Sequence, residues 1–197
     1  MKAMTQREKQ RLETRERILL AACRLFGRDG FAAVRTQDVA QEAGVSHGAV
    51  FAHFLTREAL VAAAVEETVV RSANLVRHEL RLTNSAEDVL HAHLAALAEH
   101  EGLHANIVAE QRTLPAAVQA RLIEVNSGVA THLLAALERE AGGARAKVEP
   151  HFVFNTWLAL VHYYLLNRHL FAPGRSVMTD RADELVRSYL ALVGGST

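Results

Sequence analysis

Apolar residues recur along this chain at spacings of three and four, the period of amphipathic helices, and they rarely alternate as in strands. The first such stripe, Ile18, Ala22, Leu25 and Phe26, predicts a helix over Thr5–Asp29 that Gly30 ends. Thr5 and Glu8 stand three apart at its start, the spacing of a capping box. The residues before Thr14 are too polar to bury, and read either as a solvated extension of this helix or as an arm that orders on a partner. A long helix is predicted from Thr56 to about Leu82, ended by Thr83-Asn84-Ser85. Ser85 then caps a helix with the stripe Val89, Ala92, Leu94 and Leu97. A bend at Gly102 is expected to lead into a short helix, Leu103–Arg112, and Pro115 to open another that runs to Ala141. Gly142-Gly143 and the charged stretch to Glu149 read as a loop. A strongly apolar helix is predicted over 150–171, then a loop at Pro173-Gly174. A last helix over 179–193, capped by Thr179 or Asp180, precedes a Gly-Gly-Ser-Thr tail. The prediction is an all-α fold of about nine helices.

Residues 36–54 break the regularity. Two helices too short to be stable alone are expected here, joined by a tight turn at Gly44. The first, Thr36–Ala43, has Thr36 as its N-cap hydroxyl and buries Val39, Ala40 and Ala43. The second, Ser46–Phe54, has Ser46 as its cap and buries Ala49, Val50 and Phe54. Gly44 falls where the first helix must stop, and a left-handed residue there costs glycine least. The small residues Ala40 and Ala43 let the second helix cross the first closely. This is the plan of a helix-turn-helix, whose second helix enters the major groove of DNA.

A net charge of zero seems to argue against a nucleic-acid partner, but the charge is unevenly distributed. Residues 1–57 hold ten Lys or Arg against six Asp or Glu, and residues 58–197 hold twelve against sixteen. A basic N-terminal module and an acidic body fit a protein that rests one end on phosphates. The division expected is therefore a DNA-binding domain over 1–57, with residues 1–13 as its arm, and a separate body over 58–197, to which the resemblance described below gives effector binding and dimerisation. Only three prolines interrupt a chain that is 50% hydrophobic. No run reaches the roughly 18–20 apolar residues that span a membrane. The charged N-terminus lacks the apolar core of a signal peptide, and the single Cys23 suits a reducing cytoplasm, where it packs as a small hydrophobe. No membrane partner and a cytoplasmic location are expected.

Residues 14–66 resemble the DNA-binding domain of TetR-family transcriptional repressors. The resemblance lies in Thr14-Arg15, Ile18-Leu19-Leu20-Ala21-Ala22, Leu25-Phe26 and Gly30-Phe31. It continues through Thr36, Asp38-Val39-Ala40, Ala43-Gly44-Val45-Ser46, Gly48, Val50-Phe51, His53-Phe54, Arg57-Glu58 and Leu60. Thr36 and Ser46 place hydroxyls and free N–H groups at two helix N-termini, where a phosphate is held favourably. Gly48 leaves room for the DNA. The resemblance makes His53 a phosphate or stabilising contact and puts Arg57 where the family usually has lysine. Phe51 stands where the family usually has tyrosine, so a phosphate-binding hydroxyl is missing. The recognition helix carries no Lys, Arg, Asn or Gln to discriminate bases. His47 is the expected base or phosphate contact, with Arg35, Gln37 and the basic arm residues Arg7, Lys9 and Arg11 adding affinity.

The resemblance also implies a homodimer, formed by residues 150–171 and 179–193 of each copy, on an approximately palindromic double-stranded DNA operator. In the final helix Ala182, Leu185, Val186, Tyr189, Leu190 and Leu192 form a stripe wide enough for both its own body and a partner. It implies a small effector among the middle helices that moves the long fourth helix. Leu103, His104, Ile107, Gln111, Trp157, His162 and Tyr163 are the candidate wall residues, suited to an apolar or amphipathic molecule. No cofactor is expected. The alternatives are a DNA-binding regulator without an effector, or a metal-responsive one using the body histidines. For the latter, His100 and His104 have one-face spacing, interrupted by Gly102, while His91 and His93 do not; Glu101 and His132 would have to join by folding. No metal site is assigned. The chain holds no Ser-His-Asp, Cys-His, phosphate-loop or dinucleotide pattern at catalytic spacing, so an enzyme is not expected.

Overall fold

A computed structural model describes residues 5–79, 85–141 and 149–194. Among them are eleven α-helices, nine of seven residues or more, and no strand. In chain order they are α1 (Gln6–Asp29), α2 (Thr36–Ala43), α3 (His47–His53), α4 (Arg57–Glu79), α5 (Ala86–Ala98) and α6 (Glu101–Glu110). After a 3-10 turn, Gln111–Thr113, come α7 (Ala116–Glu140), α8 (Pro150–Leu166), α9 (Arg168–Phe171), α10 (Val177–Asp180) and α11 (Ala182–Gly194). The expected end of the fourth helix near Leu82, the Gly142-Gly143 loop and most of the C-terminal tail lie outside the described residues. No single helix among the described residues is long and apolar enough to cross a membrane.

The local signals act where the sequence puts them. Thr5 accepts from the Glu8 amide and Glu8 returns the bond to the Thr5 amide, so α1 begins with a full capping box. The polar residues after Thr5 are therefore turns of α1 rather than a separate arm. Ser46 and Ser85 cap α3 and α5, and Thr56 accepts from the Ala59 amide at the start of α4. Gly44 has φ 65° and ψ 39°, the left-handed stop that ends α2.

Four expectations need correction. Thr36 is the first residue of α2 rather than its cap; Arg35 precedes the helix, and the Asp38 carboxylate takes the Arg35 amide at 2.8 Å. Gly102 makes no bend but sits inside α6, where its missing side chain lets α6 press against α1. A Cβ on Gly102 would lie 2.5 Å from the Gly27 carbonyl oxygen. The apolar helix from Pro150 stops at Leu166 and resumes as the short α9. The final helix is preceded by α10, whose cap is Ser176, not Thr179 or Asp180.

Two hydrophobic clusters fill the molecule. The first joins α1, α2 and α3 through Ile18, Phe26, Val39, Val50 and Phe54. It does not end at residue 57: Leu60, Val65 and Val69 of α4, Leu103 and Ile107 of α6, and Val118 of α7 belong to it. The second lies in the body, around the fully buried Trp157 and Tyr189, whose rings stand 5.1 Å apart. The helix α6 contributes to both clusters, with Ala105 facing the second.

Candidate DNA-binding surface and inner cavity

The recognition helix α3 is held by its buried side and bare on the other. Val50 is fully buried and Phe54, just beyond the helix, nearly so; Ala49 is only half-buried. Ser46, His47, Gly48 and Phe51 are exposed. The Ser46 hydroxyl accepts from the Ala49 amide at 3.2 Å. The Thr36 hydroxyl, free of capping, meets His47 Nε2 at 2.9 Å and so ties the start of α2 to the start of α3. The His47 ring packs edge-on against Phe51, with centroids 5.0 Å apart. A Cβ on Gly48 would meet nothing within 4 Å, so the helix presents bare backbone at this point. Arg35 and Gln37 are exposed at the start of α2.

The structure gives Arg57 and His53 environments that the sequence did not foretell. The Arg57 guanidinium is turned inward, where it donates to the carbonyl oxygens of Phe31 and Val34 in the connection between α1 and α2. Its first task is to hold that connection against α4. Half-buried His53 has a pKa lowered by burial and by the neighbouring Arg11 and Arg15. The N-terminal half of α1 therefore runs past the end of the recognition helix and adds two exposed guanidiniums there. Arg15 also stacks over the Phe54 ring at 4.9 Å. Arg15 was missed as a site residue because its partner is 39 positions away; only the Thr-Arg pair within the family pattern could have flagged it.

The body contains a cavity of about 60 Å³, partly open to solvent, between α5, α6, α7 and α8. Of the seven candidate wall residues, His104, Ile107, Gln111 and His162 line it. Three other candidates do not. Leu103 faces the first cluster with α1, Trp157 is sealed in the second, and Tyr163 is 57% exposed on the outside of α8. The added walls are His93, Leu97, Val108, Leu122 and Asn126, with Leu158, Val161 and Leu165 from α8. His93 was passed over because its neighbours at His91 and Leu94 gave no reason to point it inward.

Burial keeps the histidines of this cavity uncharged. Desolvation, and then the nearby His162, pushes His93 down to about 4; desolvation, and then His93 and His100, pushes His104 to about 3. Burial lowers His162 too. Trp157 Nε1–H donates to His93 Nδ1 at 3.0 Å. His104 Nε2 meets the hydroxyl of Ser72 on α4 at 3.1 Å. Among the described residues no three His, Cys, Asp or Glu stand where they could share a metal ion. His91 is instead bonded to Asp183 and His132 to the Gly128 carbonyl. Glu101 is tied to Ser176 and to the amides of Val177 and Met178.

One helix links cavity and head. On the α1 side of α6, the Asn106 amide donates to the carbonyls of Phe26 and Gly27 at 2.7 and 3.2 Å. At its end, the Glu110 carboxylate accepts from the amides of Phe31 and Ala32 at 2.8 and 3.0 Å. These bonds cap the end of α1 and hold the same connection that Arg57 grips from α4.

A helix-turn-helix head with a bare recognition face, on a helical body that encloses a cavity, defines a one-chain helix-turn-helix regulator fold. Residues 18–64 match the family model of bacterial regulatory proteins of the tetR family. Over these residues the chain is similar to the TetR family. It is 41% identical over 66 residues to the HTH-type transcriptional regulator YerO of Bacillus subtilis (strain 168). That match spans 34% of this chain and only 23% of the relative. The whole fold is similar to that of a TetR-family transcriptional regulator from Rhodococcus sp., with a TM-score of 0.74 at 23% identity over 93% of this chain and 100% of the other. It is also similar to the transcriptional regulator FadR from Bacillus subtilis in complex with stearoyl-CoA. There the TM-score is 0.72 at 15% identity, over 92% of this chain and 99% of the other.

Proposed function

We propose that this protein is a dimeric transcriptional repressor that binds a palindromic DNA operator and is released from it by a small apolar or amphipathic effector. The observation that carries the DNA half is the recognition face, where Ser46, His47, Gly48 and Phe51 are exposed beside Arg35, Thr36 and Gln37. Ser46 and the first amides of α3 bind a phosphate, His47 touches a base edge or phosphate, and Phe51 rests on a thymine methyl. His53, with Arg11 and Arg15, takes the flanking phosphate. Arg57 acts chiefly by fixing the head on α4. In this reading the divisions 1–57 and 58–197 are divisions of role, since packing runs across residue 57.

The dimer reading rests on an outward apolar stripe. Phe152, Tyr163 and Leu166 on α8 and Leu170 on α9 follow one helical face, and each is at least 44% exposed. Leu192 on α11 is 74% exposed beside it. A run of exposed apolar side chains on one helical face of this kind marks an interface, and a second copy of the chain fits it by symmetry. The effector reading rests on the cavity, whose lining holds no Lys or Arg to neutralise a phosphate-rich ligand.

Anisotropy titration on DNA flanking the protein's own gene tests the reading. Saturable binding that weakens steeply with salt and needs both half-sites is expected. Affinity no greater than for random duplex of equal length overturns it. Sedimentation showing a monomer at micromolar concentration overturns the dimer and with it the palindrome.

A further inference from the structure

The hydrogen bonds of two buried histidines fix which nitrogen of each carries the proton. Trp157 Nε1 can only donate, so His93 Nδ1 must accept, and the proton of the neutral ring sits on Nε2. The Ser72 hydroxyl lies 3.2 Å from the Ala96 carbonyl, which can only accept, so Ser72 spends its one proton there. His104 Nε2 must then donate to the Ser72 oxygen, which leaves Nδ1 of His104 as a bare lone pair. Among the described residues neither His93 Nε2–H nor His104 Nδ1 has a protein partner, although both rings are more than nine-tenths buried and stand in the lining of one cavity. A buried donor and a buried acceptor left unmet are both costly, so together they favour a ligand group that satisfies both. The rest of the wall is aliphatic apart from Gln111, Asn126 and His162, and it contains no Asp, Glu, Lys or Arg.

We propose that the cavity binds an uncharged amphipathic molecule through a hydroxyl group, which accepts from His93 Nε2–H and donates to His104 Nδ1. The hydrocarbon part lies on Ile107, Leu158, Val161 and Leu165. The assignment rests on reading this cavity as the effector site and names the chemistry of its ligand. A cation meets no carboxylate in this wall and a donor already in place at His93. An anion meets the lone pair of His104 and no fixed positive charge. An ether satisfies His93 but leaves His104 bare.

The single tryptophan supplies the readout, because the Trp157 indole is bonded to His93. Full-length protein is titrated with n-octanol, its isomer heptyl methyl ether, n-octylamine and octanoate, and followed by Trp157 fluorescence and calorimetry. The alcohol is expected to bind about tenfold more tightly than the ether, the worth of one hydrogen bond to a buried acceptor, and more tightly still than either ion. In His104→Leu, with helicity checked by circular dichroism, the alcohol–ether preference should fall to near unity while chain binding persists. Equal affinity for alcohol and ether in the unaltered protein overturns the proposal. So does an amine or carboxylate that binds as well as the alcohol, or no saturable binding of any of the four. DNA release is read separately in the anisotropy assay. Octanol that binds with this preference yet leaves DNA affinity unchanged upholds the hydroxyl site and defeats the effector reading.

Discussion

The head and the body use their polar groups in opposite ways. On the recognition face of the head, polar side chains are bonded close by in sequence: Ser46 to an amide three residues on, Thr36 to His47 eleven residues on. In the body they are buried and bonded across long separations, Ser72 to His104 over 32 residues and His93 to Trp157 over 64. A solvated polar group costs little to leave free, so the head can hold its hydrogen-bonding groups in reserve for a partner. A buried one is costly to leave unmet, so the body commits one nitrogen of each of these histidines to the fold. Changes in the head should therefore alter affinity more than stability, and changes in the body the reverse.

Acid makes the largest test of that contrast. His93 and His104 are held neutral in the fold, with pKa values of about 4 and about 3, but titrate near 6.5 when the chain unfolds. Folded-state values below the unfolded value mean that the unfolded chain binds more protons, so stability falls as pH drops below about 6.5. The loss is expected to reach about 3–4 kcal/mol between pH 7 and pH 5 by urea unfolding, and His104→Leu should remove close to half of this slope.

Two identical substitutions then set region against region. Gly102→Ala drives a methyl group into the Gly27 carbonyl, where backbone cannot yield, and is expected to cost about 3 kcal/mol. Gly48→Ala meets nothing and should stabilise α3 by about 0.5–1 kcal/mol, while lowering DNA affinity through its closer approach to the duplex. Equal thermal shifts from the two would erase the distinction. Glu110→Ala strips the partner from the Phe31 and Ala32 amides and should cost about 2 kcal/mol by the same measurement. The smallest stability effect is expected from Phe51→Tyr, whose ring is already exposed. It should leave the melting temperature within a degree or so and strengthen DNA binding about two- to tenfold by restoring a hydroxyl to the phosphate.

This contrast also explains what could be read in advance. The head was legible because its determinants are local: capping hydroxyls, the left-handed Gly44 and a stripe of three apolar residues in α2 are each contained within one turn or two. Where local reading failed, a distant partner had intervened. Thr36 surrendered its capping role to Asp38 and turned to His47 instead. Gly102 looked like a helix breaker because glycine usually is one, and only the approach of α1 makes its smallness a packing asset. Tyr163 and Trp157 are both aromatic residues on α8, yet one faces outward and the other is sealed inside. No periodicity distinguishes a cavity wall from either.

The way α6 is shared has a consequence for anyone recombining such proteins. Helix α6 fills the head's core with Leu103 and Ile107, caps α1 with Asn106 and pins the next connection with Glu110. A chimera cut after α3, or even after α4, would graft a reading head that lacks part of its own interior. The portable unit is discontinuous in sequence, comprising residues 5–79 together with 101–118. A graft that leaves 101–118 behind needs a donor helix with its own glycine opposite Gly27.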